Sequence, residues 1–232
     1  MFLKSVKVAV AVLAAGAALT ACGSVKTGAA AIIGHDRITV DKLDAAVTEW
    51  AKELPKYPAA QQIVQRSQAQ SQGRQIPFDP SSPQRSALYQ LVEIRAWSEV
   101  AREHGISIAP GQVDSVIAAS GGRPVLDANV LAEGLPTRYG DDYARILLVQ
   151  RTMLQRYGIG SGQAVDEKKQ KQAVDQLVGD YAQAKRTLGI SVNPRYGSFD
   201  DRTMALGPVC PHLSIPDSGT PGDSSGGTPC AV

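Results

Sequence analysis

The stretch PQRSALYQLVEIRAWSEVAREHG, residues 83–105, decides the fold. Ser82 before it is a good helix N-cap and Pro83 suits a first helical turn. Gly105 suits the left-handed position just past a helix end. Between them lie Leu88, Leu91, Val92, Ile94, Trp97 and Val100. At about 100° per residue these cover most of the circumference, and a helix apolar on most sides is buried by several partners. This helix is therefore expected to be the hub of an all-α domain.

Downstream, Gly105-Ile106-Ser107-Ile108 reads as helix stop and short extended link. A new helix then opens with Ala109 where a capping Ser or Thr is expected, followed by Pro110-Gly111, so its start is weakly capped. Val113 to Ala119 forms that short helix, closed by Gly121-Gly122, and Pro124 to Ala132 another, broken by Gly134-Leu135-Pro136. Asp141 or Asp142 opens an amphipathic helix through Tyr157. Tyr143, Ile146, Leu147, Val149, Met153 and Leu154 share its apolar face, and Arg145, Arg151 and Arg156 lie away from it. Gly158 to Gly162 is a joint. Gln163 to Leu188 is the longest helix, with Val174, Leu177, Tyr181, Ala184 and Leu188 spaced like a coiled-coil seam, and Gly189 stops it. Ile190 to Gly197 reads as a last strand and turn.

Upstream, Ala31-Ile32-Ile33-Gly34-His35-Asp36-Arg37-Ile38-Thr39-Val40 is a strand–turn–strand signal. Asp41 to Leu54 is helical, with Leu43, Val47, Trp50 and Leu54 on one face, and Pro55 and Pro58 end it. Ala59 to Gln72 is a Gln-rich, peripheral helix. Gly73 to Ser82 is a loop.

Taken in order, these stretches resemble the SurA/PrsA-type extracytoplasmic chaperones. Their N-terminal domain has a short strand and turn, a first helix, then an apolar helix ending in Gly-Ile-x-Val before the next helix. Ala31–Leu54, Leu88–Ile117 and Asp141–Gly197 follow that order, the last closing on Val192-Asn193-Pro194-Arg195-Tyr196-Gly197. Gly34-His35-Asp36 departs from the family's Asn-Gly-Glu turn, and Ala109 from its capping residue. The resemblance implies a SurA N-terminal or trigger-factor-like helical domain over residues 31–206. In it a small β element joins the chain ends, with the last strand beside Ile32–Ile33. It implies an ATP-independent binder that takes unfolded or secreted polypeptides into an apolar groove between helices. Full members carry a parvulin domain. Only Ser115 to Gly140 stands in its place, without its histidines, so no prolyl isomerase activity is expected. The alternative is a structural or adaptor lipoprotein docking one folded cell-envelope partner.

Lys4 and Lys7 precede an apolar run, Val8 to Leu19, that is too short to span a bilayer. It ends in Leu19-Thr20-Ala21-Cys22, which looks like a bacterial lipobox. Residues 1–21 are expected to be a signal peptide, Cys22 to carry the lipid, including palmitate-type acyl chains, and residues 22–30 to be a tether. The domain would then sit on the outer face of the bacterial cell membrane, lipid-anchored. Removing Lys4 and Lys7 leaves 22 basic and 22 acidic residues. A near-zero charge argues against a nucleic-acid partner, which needs a basic face. Aromatic residues make up only 5% of the chain, which suits close-packed helices better than a sheet.

No catalytic, metal or cofactor site is expected. Gly222-Asp223-Ser224-Ser225-Gly226-Gly227 echoes a serine-protease nucleophile loop, but an extra Ser spoils the turn and no partner His has the right setting. His35, His104 and His212 lie far apart with no ligand at metal spacing. Asp141-Asp142 reads as capping and dipole complement, and Asp166 to Lys171 as a solvated face with local ion pairs. Cys210 and Cys230 form an even pair that tends to oxidise outside the cell. An intramolecular bridge is favoured, with free thiols or interchain pairing as alternatives. From Gly207 onward, residues 207–232 are rich in Pro, Gly, Ser and Thr and are expected to be a disordered tail.

Overall fold

A computed structural model describes residues 28–71, 82–160, 166–200, 205–207 and 209. Cys22, Cys210, Cys230, His212, the Gly222–Gly227 loop and the loop expected before Ser82 lie outside them.

The chain is mainly helical with a small β element, as the sequence implies. A hairpin of β1 (Ala29–Ile33) and β2 (Asp36–Thr39) leads into α1 (Val40–Glu53), which Thr39 caps by accepting from the Lys42 N–H at 3.2 Å. A short 3₁₀ turn, Leu54–Lys56, precedes α2 (Pro58–Ser71). Then come α3 (Pro83–Glu103), α4 (Pro110–Ala119), α5 (Arg123–Ala132), α6 (Gly140–Arg156) and α7 (Glu167–Leu188). After α7 lie β3 (Ser191–Val192) and a second, unforeseen hairpin of β4 (Phe199–Asp200) and β5 (Ala205–Leu206).

Helix α3 is the hub. It packs against α1, α6, α7, β1 and β5, and buries Leu88, Val92, Ala96, Trp97 and Val100 on different sides. Each of the larger side chains, Leu88, Val92 and Val100, contributes about 1.5–3 kcal/mol of burial free energy. Gly105 takes φ +59, the Gly105 N–H donates to the Arg102 carbonyl and the Ile106 N–H to Ala101 at 2.8 Å. This is a left-handed C-cap that no residue with a Cβ adopts cheaply. Ser82 makes no side-chain cap; Pro83 alone marks the start. Helix α4 does have a substitute for the missing cap, because the Ala109 N–H donates to Gln112 Oε1 at 2.8 Å, half of a capping box. Helix α6 begins at Gly140, one residue before the expected acids. Asp141 and Asp142 sit in its first turn and pair with Arg123 (2.7 Å) and Arg145 (3.0 Å).

The chain ends meet in a three-stranded antiparallel sheet ordered β2-β1-β3. Ala31 lies opposite Val192 and Ile32 opposite Ser191, so β3, the strand that follows α7, pairs with β1 as expected. The strand begins at Ala29, inside the segment expected to be tether, because Ala29 and Ala30 are fully buried and Asn193 bonds both their carbonyls. At the hairpin tip the Gly34 N–H donates to the Leu188 carbonyl at 2.6 Å. Gly34 has φ +59, so glycine answers the left-handed turn, and a Cβ there would make only an ordinary contact with Leu188.

Trp50, Ala60, Ala128 and Leu131 form a small separate core where α1, α2 and α5 meet. Inside it the Trp50 indole N–H donates to the Leu131 carbonyl at 2.8 Å. The substitution Trp50→Phe should cost about 1–3 kcal/mol, because it removes this buried hydrogen bond as well as apolar contact, although the carbonyl keeps the Gly134 N–H at 3.1 Å. Urea unfolding of the variant and the parent measures it.

Candidate functional site

Two features stand out from the packed helices: a buried polar cluster on α3 and α7, and an apolar groove on one flank of α6.

The cluster centres on Lys185, whose side chain has no exposure to solvent. Its ammonium lies 2.7 Å from Glu93 Oε1. Around it stand the rings of Tyr181 (4.3 Å), Tyr89 (5.4 Å) and Phe199 (5.6 Å), all within cation–π range. The Tyr181 hydroxyl donates to the same Glu93 oxygen, and the Tyr89 hydroxyl hydrogen-bonds within the group. Tyr181 also stacks on Trp97 with ring centroids 4.9 Å apart. Burial pushes the Lys185 ammonium below its ordinary pKa, against the opposing pull of Glu93. Burial and then the Glu93 charge drive both phenols well upward. Next to this group the Gln90 amide donates to Glu133 at 2.8 Å. Burial, reinforced by the Glu93 charge, raises the Glu133 carboxyl. The phenols hold their protons and the buried ammonium is satisfied by Glu93, so the cluster ties α7 to α3.

The groove has a volume of about 340 Å³. Leu147 and Leu154, seven residues apart on α6, supply one wall. Ile159 also lines it, together with the polar Gln150, Arg151 and Gln155. Local chemistry seats Ile159. Gly158 adopts φ +85 past the helix end, its N–H bonds Gln155, and the Ile159 N–H turns back to the Leu154 carbonyl at 2.9 Å. That is a Schellman cap, and its usual apolar contact brings Ile159 onto Leu154. The same corner is tied by the Tyr157 hydroxyl donating to Asp180, by the Arg156 guanidinium donating to the His104 carbonyl at 2.8 Å, and by His104 lying 3.6 Å from Asp180. Burial and then Asp180 push the Tyr157 phenol up to about 12.

The residues singled out in sequence do not converge. His35 is exposed in the hairpin turn and His104 sits at the end of α3. Among the described residues no group of three or more His, Cys, Asp or Glu is placed to hold a metal ion, and no helix is long and apolar enough to cross a membrane. The seam expected on α7 is corrected. Val174 is 44% exposed, and Ala173 turns inward in its place, with Leu177, Tyr181 and Ala184 packing inward as expected. Val178 is 58% exposed. Lys185 escaped the sequence reading because a lysine beside Ala184 looks like solvent-facing flank. The available signal was Glu93, a lone acid between Val92 and Ile94 on a helix apolar nearly all round.

Lys185→Met should cost about 3 kcal/mol, since it strands the Glu93 carboxylate. Adding Glu93→Gln should restore much of that, and a double-mutant cycle by denaturation measures the coupling. Glu133→Gln should stabilise the protein at pH 7 by roughly 1 kcal/mol, through loss of a poorly solvated charge. Its folded pKa is raised, so the parent regains this stability as pH falls through that value, and the gap between variant and parent should close toward pH 4. Comparison of the chain with protein-family models, with curated proteins and with solved structures returns no match.

Proposed function

We propose that this chain is a lipid-anchored, extracytoplasmic lipoprotein that binds unfolded or secreted polypeptides without ATP, in the manner of a SurA N-terminal-like chaperone. Cys22 would carry the anchor and hold the domain on the outer face of the bacterial cell membrane. The α6 groove carries this reading. Leu147, Leu154 and Ile159 offer an apolar surface with glutamines beside it, suited to the apolar side chains of an extended or amphipathic segment. The order of elements, with β1 paired to the β3 strand that follows α7 and a buried apolar helix between them in sequence, supports the family resemblance. The proposal includes no prolyl isomerase activity, no catalytic residue, no metal and no cofactor, and no nucleic-acid partner.

A second reading, an adaptor that docks one folded cell-envelope partner, is favoured by a different observation. Val174 and Val178 are exposed four residues apart on one face of α7, an open surface rather than a groove.

The mature chain, without nucleotide, should suppress aggregation of a reduced, unfolding protein near equimolar amounts. Leu154→Asp should abolish most of this, and Val178→Asp should leave it intact. No protection at several-fold excess would sink the chaperone reading. A single partner crosslinked from membranes, and lost in Val178→Asp, would then establish the adaptor.

A further inference from the structure

The groove has a charge as well as an apolar wall. Arg151, an exposed residue of its lining, has no hydrogen-bond or ion-pair partner among the described residues. The other outward arginines of α6 are engaged, Arg145 by Asp142 and Arg156 by the His104 carbonyl. Among the described residues no carboxylate lines the groove. We infer that the α6 groove selects polypeptide segments that carry an acidic side chain beside their apolar residues, with Arg151 taking the carboxylate. This rests on the polypeptide-binding reading and adds a specificity to it.

The chemistry follows from the geometry. Leu147, Arg151 and Leu154 are spaced four and three residues apart, so they form one continuous ridge on the helix. A segment laying two apolar side chains against Leu147 and Leu154 brings its intervening residue to the guanidinium. A carboxylate there is met by a planar, two-pronged donor. A lysine there meets like charge. The pair is partly exposed, so it sets preference among segments rather than total affinity. A single arginine flanked by two glutamines is a poor match for an anionic membrane, which is held by clusters of basic residues.

The test uses the full mature chain, unlipidated, and three fluorescent amphipathic peptides with one leucine pattern and Glu, Gln or Lys between the leucines. Anisotropy at low salt should show the Glu peptide binding about three- to five-fold more tightly than the Gln peptide and the Lys peptide most weakly. Salt should compress the order. Arg151→Gln should flatten the order at the affinity of the Gln peptide, Arg151→Glu should invert it, and Leu154→Asp should weaken all three. Circular dichroism confirms that each surface variant is folded. Equal binding of the three peptides by the parent would overturn the acid preference while leaving the chaperone reading standing. No binding of any peptide would overturn that reading and this inference together. Arg151-dependent binding to anionic vesicles, with no peptide bound, would also overturn it, in favour of a lipid ligand.

Discussion

A lysine ammonium cut off from water fixes how the last helix lies on the central one. Stripping Lys185 of solvent costs several kcal/mol, and only one placement of α7 along α3 returns that cost. There the ammonium meets Glu93 and three aromatic faces, and Tyr181 rests on Trp97. A slip of one residue would carry the charge into an apolar wall. Two further placements depend on this register. Leu188 arrives under Gly34, and Val192 arrives opposite Ala31. Apolar packing holds the helices together, but the buried pair decides their alignment.

The groove obeys a different logic. Its walls stand on one flank of α6, with Leu147 still touching the main core, while the adjoining face of the same helix buries Ile146, Val149 and Met153. One helix thus divides its circumference between stability and recognition. The corner formed by Tyr157, Asp180 and His104 keeps the Ile159 part of the groove in place without lending it a core residue. A surface built this way is free to change its side chains while the scaffold under it stays intact.

Much of the fold was legible because it depends on local chemistry. The apolar circumference of α3, the glycines at 105 and 189, and the turn at Gly34 each act within a few residues. What escaped depends on tertiary context. Lys185 is buried by partners far away in sequence, and nothing local distinguishes it from a surface lysine. Val174 obeys the helical spacing yet is 44% exposed, because none of the described residues covers that side of α7. The β4–β5 hairpin pairs only two residues per strand, too few to leave a pattern. Ala29 and Ala30 looked like tether because small residues carry little hydropathy signal, although alanine fits well beneath a neighbouring strand. The groove mixes legible and illegible parts. Leu147 and Leu154 were assigned to an apolar face, but which apolar residues remain open at the surface is set by the whole packing.

The strand pairing that closes the domain also sets the order in which it can be made. Asn193 and Ala29, which bond across the sheet, are separated by 164 residues. Closing a loop of that length carries an entropic penalty that only the finished sheet and the docked α7 offset. A chain emerging N-terminus first must therefore wait, with one edge of β1 bare, until nearly the whole domain has been delivered. Its helices can form as they appear, but the sheet is completed only late, when β3 takes its place beside β1.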